Sequence, residues 1–138
     1  MAHLIVAGAL LRGDRLLLCH RVAGRRYFPD CWDLPGGHVE QDERPEDALV
    51  RELKEEIGVD AVVTGQPSLH VEHHPELADG MVLDVWTITS WDGEPVNLAN
   101  DEHDDLRWVA VEQLQTLDLA HPAYSAFFPA LLAPDQPI

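Results

Sequence analysis

The sequence predicts an α/β protein: one domain over residues 1–138, built on a mixed β-sheet with helices on both faces. Three observations carry this. Several short apolar runs are parted by turn residues, one amphipathic helix stands mid-chain, and a second, more apolar helix closes the sequence. A chain of 138 residues, 46% hydrophobic and 25% charged, is long enough to bury one core of ordinary size.

The elements follow in order. Leu4 to Leu11 and Arg15 to His20 read as two strands joined at Arg12-Gly13-Asp14, a hairpin turn signal. Arg21 to Cys31 lacks periodicity and reads as a loop over the active site, carrying Arg21, Arg25, Arg26, Tyr27 and Phe28. Trp32 to Gly37 is an extended, pre-proline segment ending in a Gly-Gly turn, and Val39-Glu40 ends a short strand. A helix then runs to about Ile57, with Pro45 in its first turn and Gly58 as its left-handed stop. Leu49, Val50, Leu53 and Ile57 form the sector that faces the core.

Val59 to Thr64 is the next strand. Ser68 to His73 pairs antiparallel with Met81 to Ser90, whose imperfect alternation suits a strand covered on both faces. Trp91 to Pro95 is a turn, Asn97 to Asp105 an acidic loop, and Leu106 to Ala110 a short strand. Val111 to Leu114 begins a helical turn. His121-Pro122 opens the last helix, whose apolar stripe is Tyr124, Phe127, Phe128, Leu131 and Leu132. That stripe packs internally or against a second copy, so the chain is a monomer or a homodimer.

The chemistry concentrates on the mid-chain helix. Glu52, Glu55 and Glu56 stand at i, i+3 and i+4, and at about 100° per residue they share a sector roughly 100° wide. Like charges at i, i+4 cost a few tenths of a kcal/mol, a sign that a hard divalent cation reverses. A solvated acidic face is the plain alternative. The flanks argue against it, because Gly36-Gly37 lets main chain approach an ion or ligand closely.

The segment from Gly37 to Val59 resembles the Nudix hydrolase signature G-x5-E-x7-R-E-U-x-E-E-x-G-U, with U aliphatic. Gly37, Glu43, Arg51, Glu52, Leu53, Glu55, Glu56, Gly58 and Val59 fill its fixed positions, and Leu34-Pro35-Gly36 resembles the usual approach. The resemblance implies a Nudix-type α/β/α sandwich and a Mg²⁺-dependent hydrolase (Mn²⁺ as substitute) of a small-molecule nucleotide. It is closest in kind to the small MutT-like branch, which removes oxidised or otherwise unwanted nucleoside triphosphates and releases a monophosphate and pyrophosphate.

By the same resemblance Glu52, Glu55 and Glu56 bind metal with a main-chain carbonyl of Gly36. Arg51 and Glu43 orient the metal ligands, and Glu52 or Glu56 holds or deprotonates the attacking water. Many relatives add a carboxylate from a loop before a late strand; Glu102 is the choice here, with solvation of the loop as its alternative. Arg21 is chosen as a phosphate contact because a planar fork suits phosphate oxygens, with Arg25 and Arg26 as alternatives. Gly37 is taken as a phosphate contact, and His38 either approaches the phosphates from the turn or faces solvent.

Tyr27, Phe28, Trp32 and Trp86 are base-stacking candidates that would otherwise serve the core. Asn97, Asn100 and Asp104 are candidates for reading the base. His70, His73 and His74 around Glu72 fit no zinc spacing and read as partly exposed strand histidines.

Other partner classes are narrowed by composition. A net charge of -16 opposes tracking along a nucleic acid polymer, yet admits a polyphosphate held by local arginines and metal. No apolar run is long enough to span a bilayer, and no cleavable leader is evident, so a cytoplasmic location is expected. Cys19 and Cys31 read as reduced thiols. Two other functions are weighed: hydrolysis of ADP-ribose or a nucleotide sugar, and a non-catalytic nucleotide sensor. The first lacks its downstream aromatic and proline signatures, and the second is opposed by the complete set of glutamates.

Overall fold

A computed structural model describes residues 3–25, 28–72 and 80–133. The expectations for Arg26, Tyr27, His73 and His74 therefore lie outside the described residues.

β1 (His3–Arg12) and β2 (Arg15–Arg21) form the expected hairpin, but they pair only at Leu11↔Leu16 and Arg12↔Arg15. Beyond those two rungs the strands fork. Into the fork runs the segment Trp32–His38: β3 (Trp32–Asp33) pairs with β2, and β4 (Gly36–His38) pairs with β1. Between them Gly8 N–H donates to Pro35 O at 2.9 Å, which pins the crossing. The Gly-Gly turn expected from sequence is thus a short strand. Both glycines are required by proximity rather than by φ: a Cβ on Gly36 would sit 2.1 Å from Val6 O, and one on Gly37 2.4 Å from Glu52 Cδ.

α1 (Pro45–Ile57) follows from Pro45 at its start, Glu46 and Asp47 in the first turn, Lys54 in the last, and Gly58 at φ +73° as the stop. Ala48, Leu49, Leu53 and Ile57 are buried. Val50 is not; at 36% exposure it lies off the stripe, and Ala48 takes the core position assigned to it. A two-residue β5 (Asp60–Ala61) comes next, shorter than expected because it finds only β8 (Trp91–Asp92) as a partner. Trp91 and Asp92, read as turn residues, belong to that small ladder.

β6 (Leu69–Glu72) pairs antiparallel with β7 (Met81–Ile88), and β7 pairs in parallel with β1 from His3↔Met81 to Leu10↔Ile88. The sheet is therefore mixed, as expected. β9 (His103–Ala110) lies antiparallel to β2 and begins three residues earlier than the sequence suggests. The early start matters, because it places His103 opposite Arg21. A 3₁₀ turn (Val111–Thr116) and α2 (Tyr124–Leu132) complete the chain.

Alternation along the strands sends side chains to two cores. Val6, Leu10, Leu17, Trp86 and Ile88 pack with Leu49, Leu53 and Ile57 of α1. Ala7, Leu16, Leu18, Leu83, Val85 and Val109 pack with Tyr124 and Phe128 of α2. Each helix covers one face, which is the α/β/α arrangement. Trp32 and Trp86 are both buried in these clusters, and Trp86 Nε1–H donates to Gly65 O at 3.1 Å, so both are core residues.

Candidate active site

The forked strands leave a cleft of about 250 Å³ between the C-terminal half of α1, β4, the head of β9 and the loop after β2. Gly36, Gly37, His38, Glu52, Glu56 and Glu102 line one end, with Arg21 and Arg25 also on the wall. Ile5, Leu34, Met81, Leu83 and Tyr124 give the remainder an apolar character, with Phe28 at its side.

Glu56 is 5% exposed, and Gly36 N–H donates to its Oε2 at 2.8 Å. A second hydrogen bond joins it to the Glu102 carboxyl. Burial, that bond and the charge on Glu52 push the Glu56 carboxyl up to about 9, against the pull of the Gly36 amide. Glu52 is half-buried, and burial raises it too, opposed by Arg51. Three carboxyl groups thus line one cleft, with Arg51 as the cation hydrogen-bonded to Glu52.

Arg51 stands behind this group. It donates Nε and Nη2 to Glu43 at 2.9 and 3.0 Å, Nη1 to Glu52 Oε1 at 2.9 Å and to Glu55 Oε2 at 3.2 Å, and Nη2 to His38 O at 3.1 Å. One guanidinium therefore ties the loop after β4 to the helix and fixes the Glu52 carboxylate. It also holds Glu43 below the usual carboxylate range. Glu43 in turn accepts Glu40 N–H at 3.0 Å, which closes the loop on itself. Glu55 differs from its two neighbours: its side chain is more than half exposed, faces Arg51 and does not line the cleft.

Arg21 donates Nε to Phe28 O at 2.9 Å and Nη1 to Asp33 Oδ2 at 3.4 Å, so it braces the loop while lining the cleft. Arg25, the alternative, is partly buried there, and burial together with the charge of Arg21 lowers its pKa. Two guanidiniums whose charges oppose each other at a cleft wall favour an anion between them.

Several cleft residues were not anticipated. Asp33 Oδ1 accepts Leu34 N–H at 2.7 Å and Tyr124 O–H at 3.0 Å, linking the fork to α2. His121 Nδ1 accepts Ala123 N–H at 3.0 Å, which leaves the ring proton of the neutral form on Nε2. His103 is 2% exposed, its carbonyl accepts Asn97 Nδ2–H at 2.6 Å, and its Nδ1 is buried without a hydrogen-bond partner. Burial, then Arg25, lower its pKa, which favours the neutral ring. Only the adjacency of His103 to Glu102 hinted at this in sequence.

Of the base-reading candidates, Asn97 is spent on His103 O and Ala99 N–H, and Asp104 on His20 Nδ1 at 2.7 Å. His70, half-exposed on β6, pairs with Asp84 of β7 and with Glu72, as a partly exposed strand histidine would. Cys19 and Cys31 are buried and not joined in a disulfide, and Cys31 Sγ–H donates to Phe28 O at 3.0 Å. No helix among the described residues is long and apolar enough to cross a membrane.

A sheet forked around a glycine-bearing strand, with a glutamate-bearing helix at the fork, defines a Nudix domain, and residues 1–131 match the family model of that name. The chain belongs to the Nudix family. It is similar to the nucleoside triphosphatase NudI of Klebsiella pneumoniae (33% identical over 124 residues, 83% of this chain and 86% of the relative). It is also similar to the CTP pyrophosphohydrolase of Escherichia coli (34% over 131 residues, 94% and 88%). Among solved structures, the MutT NUDIX hydrolase of Burkholderia pseudomallei superposes with a TM-score of 0.74 at 30% identity, covering 88% of this chain and 89% of that one.

Proposed function

We propose that the protein hydrolyses a phosphoanhydride bond of a nucleoside triphosphate in a Mg²⁺-dependent reaction, releasing a nucleoside monophosphate and pyrophosphate. One observation carries this reading: the carboxylates of Glu52, Glu56 and Glu102 meet on a cleft wall that also bears Arg21 and Arg25. The names of the similar proteins, a nucleoside triphosphatase and a CTP pyrophosphohydrolase, point to the same substrate class.

The donor set fits a hard divalent cation. Its oxygens are carboxylates, and a bound cation would favour the ionised Glu56 that burial first, then Glu102 and Glu52, disfavour. Glu52, Glu56 and Glu102 would hold the ion, with Glu55 at the outer edge and Gly36 contributing main chain. Such an ion neutralises phosphate oxygens and leaving-group charge. The chain's own residues do the rest. Arg51, anchored by Glu43, keeps Glu52 in place, and Arg21 and Arg25 take phosphate oxygens. Gly37 and His38 bound the phosphate end. Water adds to phosphorus, the bridging P–O bond breaks, and the water's proton passes to Glu52 or Glu56.

The test is product analysis over a panel of ordinary and oxidised nucleoside triphosphates, ADP-ribose and nucleotide sugars, with Mg²⁺ or Mn²⁺. Monophosphate and pyrophosphate from a triphosphate support the proposal. Turnover of ADP-ribose or a nucleotide sugar alone would replace the substrate class, and binding without hydrolysis would make the protein a sensor.

A further inference from the structure

The carboxylate chemistry leaves the environment of His103 in the cleft unexplained. Its ring is 2% exposed, and its Nδ1 finds no hydrogen-bond partner. A buried polar atom left unsatisfied costs about 1–3 kcal/mol, so a working site should supply it with something. The supply has a direction. A His103 ring nitrogen and carboxylate oxygens of Glu56 and Glu102 all lie within 4.8 Å of one another.

We infer that His103 is a nitrogen ligand of the cation held by Glu56 and Glu102, making the centre a mixed oxygen–nitrogen site. This rests on the cation reading above and extends it to a selectivity. Imidazole suits borderline transition ions, whereas Mg²⁺ takes oxygen ligands, so the site favours Mn²⁺ over Mg²⁺ more than carboxylates alone would. Position on the fold supports the assignment. His103 follows Glu102 directly and pairs with Arg21 at the irregular end of the β2–β9 ladder, where the register shifts. Glu102 lies in the turn just before β9, so strand alternation does not separate it from His103, and both line the cleft. Nδ1 of the ring has no hydrogen-bond partner, so an ion bound there displaces none.

The test uses Mn²⁺ itself, bound to the full chain and read by electron spin-echo modulation, with isothermal titration for affinities. The expected result is a ¹⁴N coupling that becomes a ¹⁵N coupling when the histidines are ¹⁵N-labelled, and that vanishes in His103→Gln. In that variant Mn²⁺ affinity falls about tenfold or more, while Mg²⁺ affinity changes by less than about twofold. His38→Gln, altering an exposed cleft residue, keeps the coupling. It serves as the second variant should His103→Gln not fold, because loss of coupling there assigns the nitrogen to His38 and overturns the inference. Mn²⁺ bound by wild type with no histidine coupling overturns the inference and leaves the cation reading standing. Absence of any bound Mn²⁺ or Mg²⁺ overturns both.

Discussion

Arg51 clasps Glu43 through two parallel hydrogen bonds, Nε to Oε2 at 2.9 Å and Nη2 to Oε1 at 3.0 Å, and with its remaining nitrogen holds Glu52 at 2.9 Å. The fork geometry of a guanidinium allows all three at once; an ammonium has no such plane. Arg51→Lys is therefore expected to leave the fold intact and lower kcat/KM by about 10–100-fold, as loss of a ligand-orienting group commonly does. Steady-state kinetics beside a thermal melt would check it, and an unchanged kcat/KM would show that Glu52 needs no such anchor.

Two adjacent glycines should fail in different ways. A Cβ on Gly36 collides with main chain, at 2.1 Å from Val6 O and 2.7 Å from Ala7 Cα. Gly36→Ala then separates β4 from β1 and costs about 3 kcal/mol or more in chemical denaturation. At Gly37 the obstacle is the Glu52 carboxylate, with both oxygens at 2.6 Å, and a side chain can yield. Gly37→Ala should keep most of its stability and lose about 10²-fold in kcat, the effect of displacing a reacting group by about an ångström.

Glu56 trades stability for function. Its burial beside Glu52 and Glu102 raises its carboxyl to about 9, so the ionised form is disfavoured in the metal-free protein. Glu56→Gln retains an acceptor for Gly36 N–H and a donor for Glu102. Metal-dependent turnover should disappear, while metal-free stability rises by roughly 1 kcal/mol. Denaturant melts in chelator would measure the second effect, and a marked loss of stability would contradict it.

The His70–Asp84 pair gives a pH signature remote from the cleft. The two residues face each other across β6 and β7 and hydrogen bond, and Asp84, then Glu72, raise the His70 pKa above its ordinary 6.5. Because the folded value is the higher one, the pair's contribution is fully present below pH 6.5. It fades as pH rises through the folded pKa. A histidine NMR titration should place the His70 midpoint above 6.5, and Asp84→Asn should bring it down. A midpoint unmoved by that substitution would show that the pair carries no charge interaction.

Local signals were enough for much of this molecule. Pro45, Gly58 and the spacing of Leu49, Leu53 and Ile57 specify α1, because caps and a helical period act within a few residues. Val50 was misplaced, since the width of a buried stripe depends on the sheet packed beneath it. The brevity of β5 and the early start of β9 escaped for a related reason: a strand ends where its partner does, and the partner lies far away in sequence.

By itself the sequence determined the α/β class and the helix with its glutamates. These follow from periodicity and capping, which neighbours along the chain decide, whereas the need for glycine at 36 and 37 comes from Val6 and Glu52, far away in sequence. Tertiary structure alone decided that Glu52 and Glu56 turn into the cleft while Glu55 stays at its edge. It also decided that His103, Asp33 and Tyr124 line the same wall. The reason is the fork between β1 and β2: it draws residues separated by dozens of positions into one small volume, where burial and mutual charge fix their chemistry.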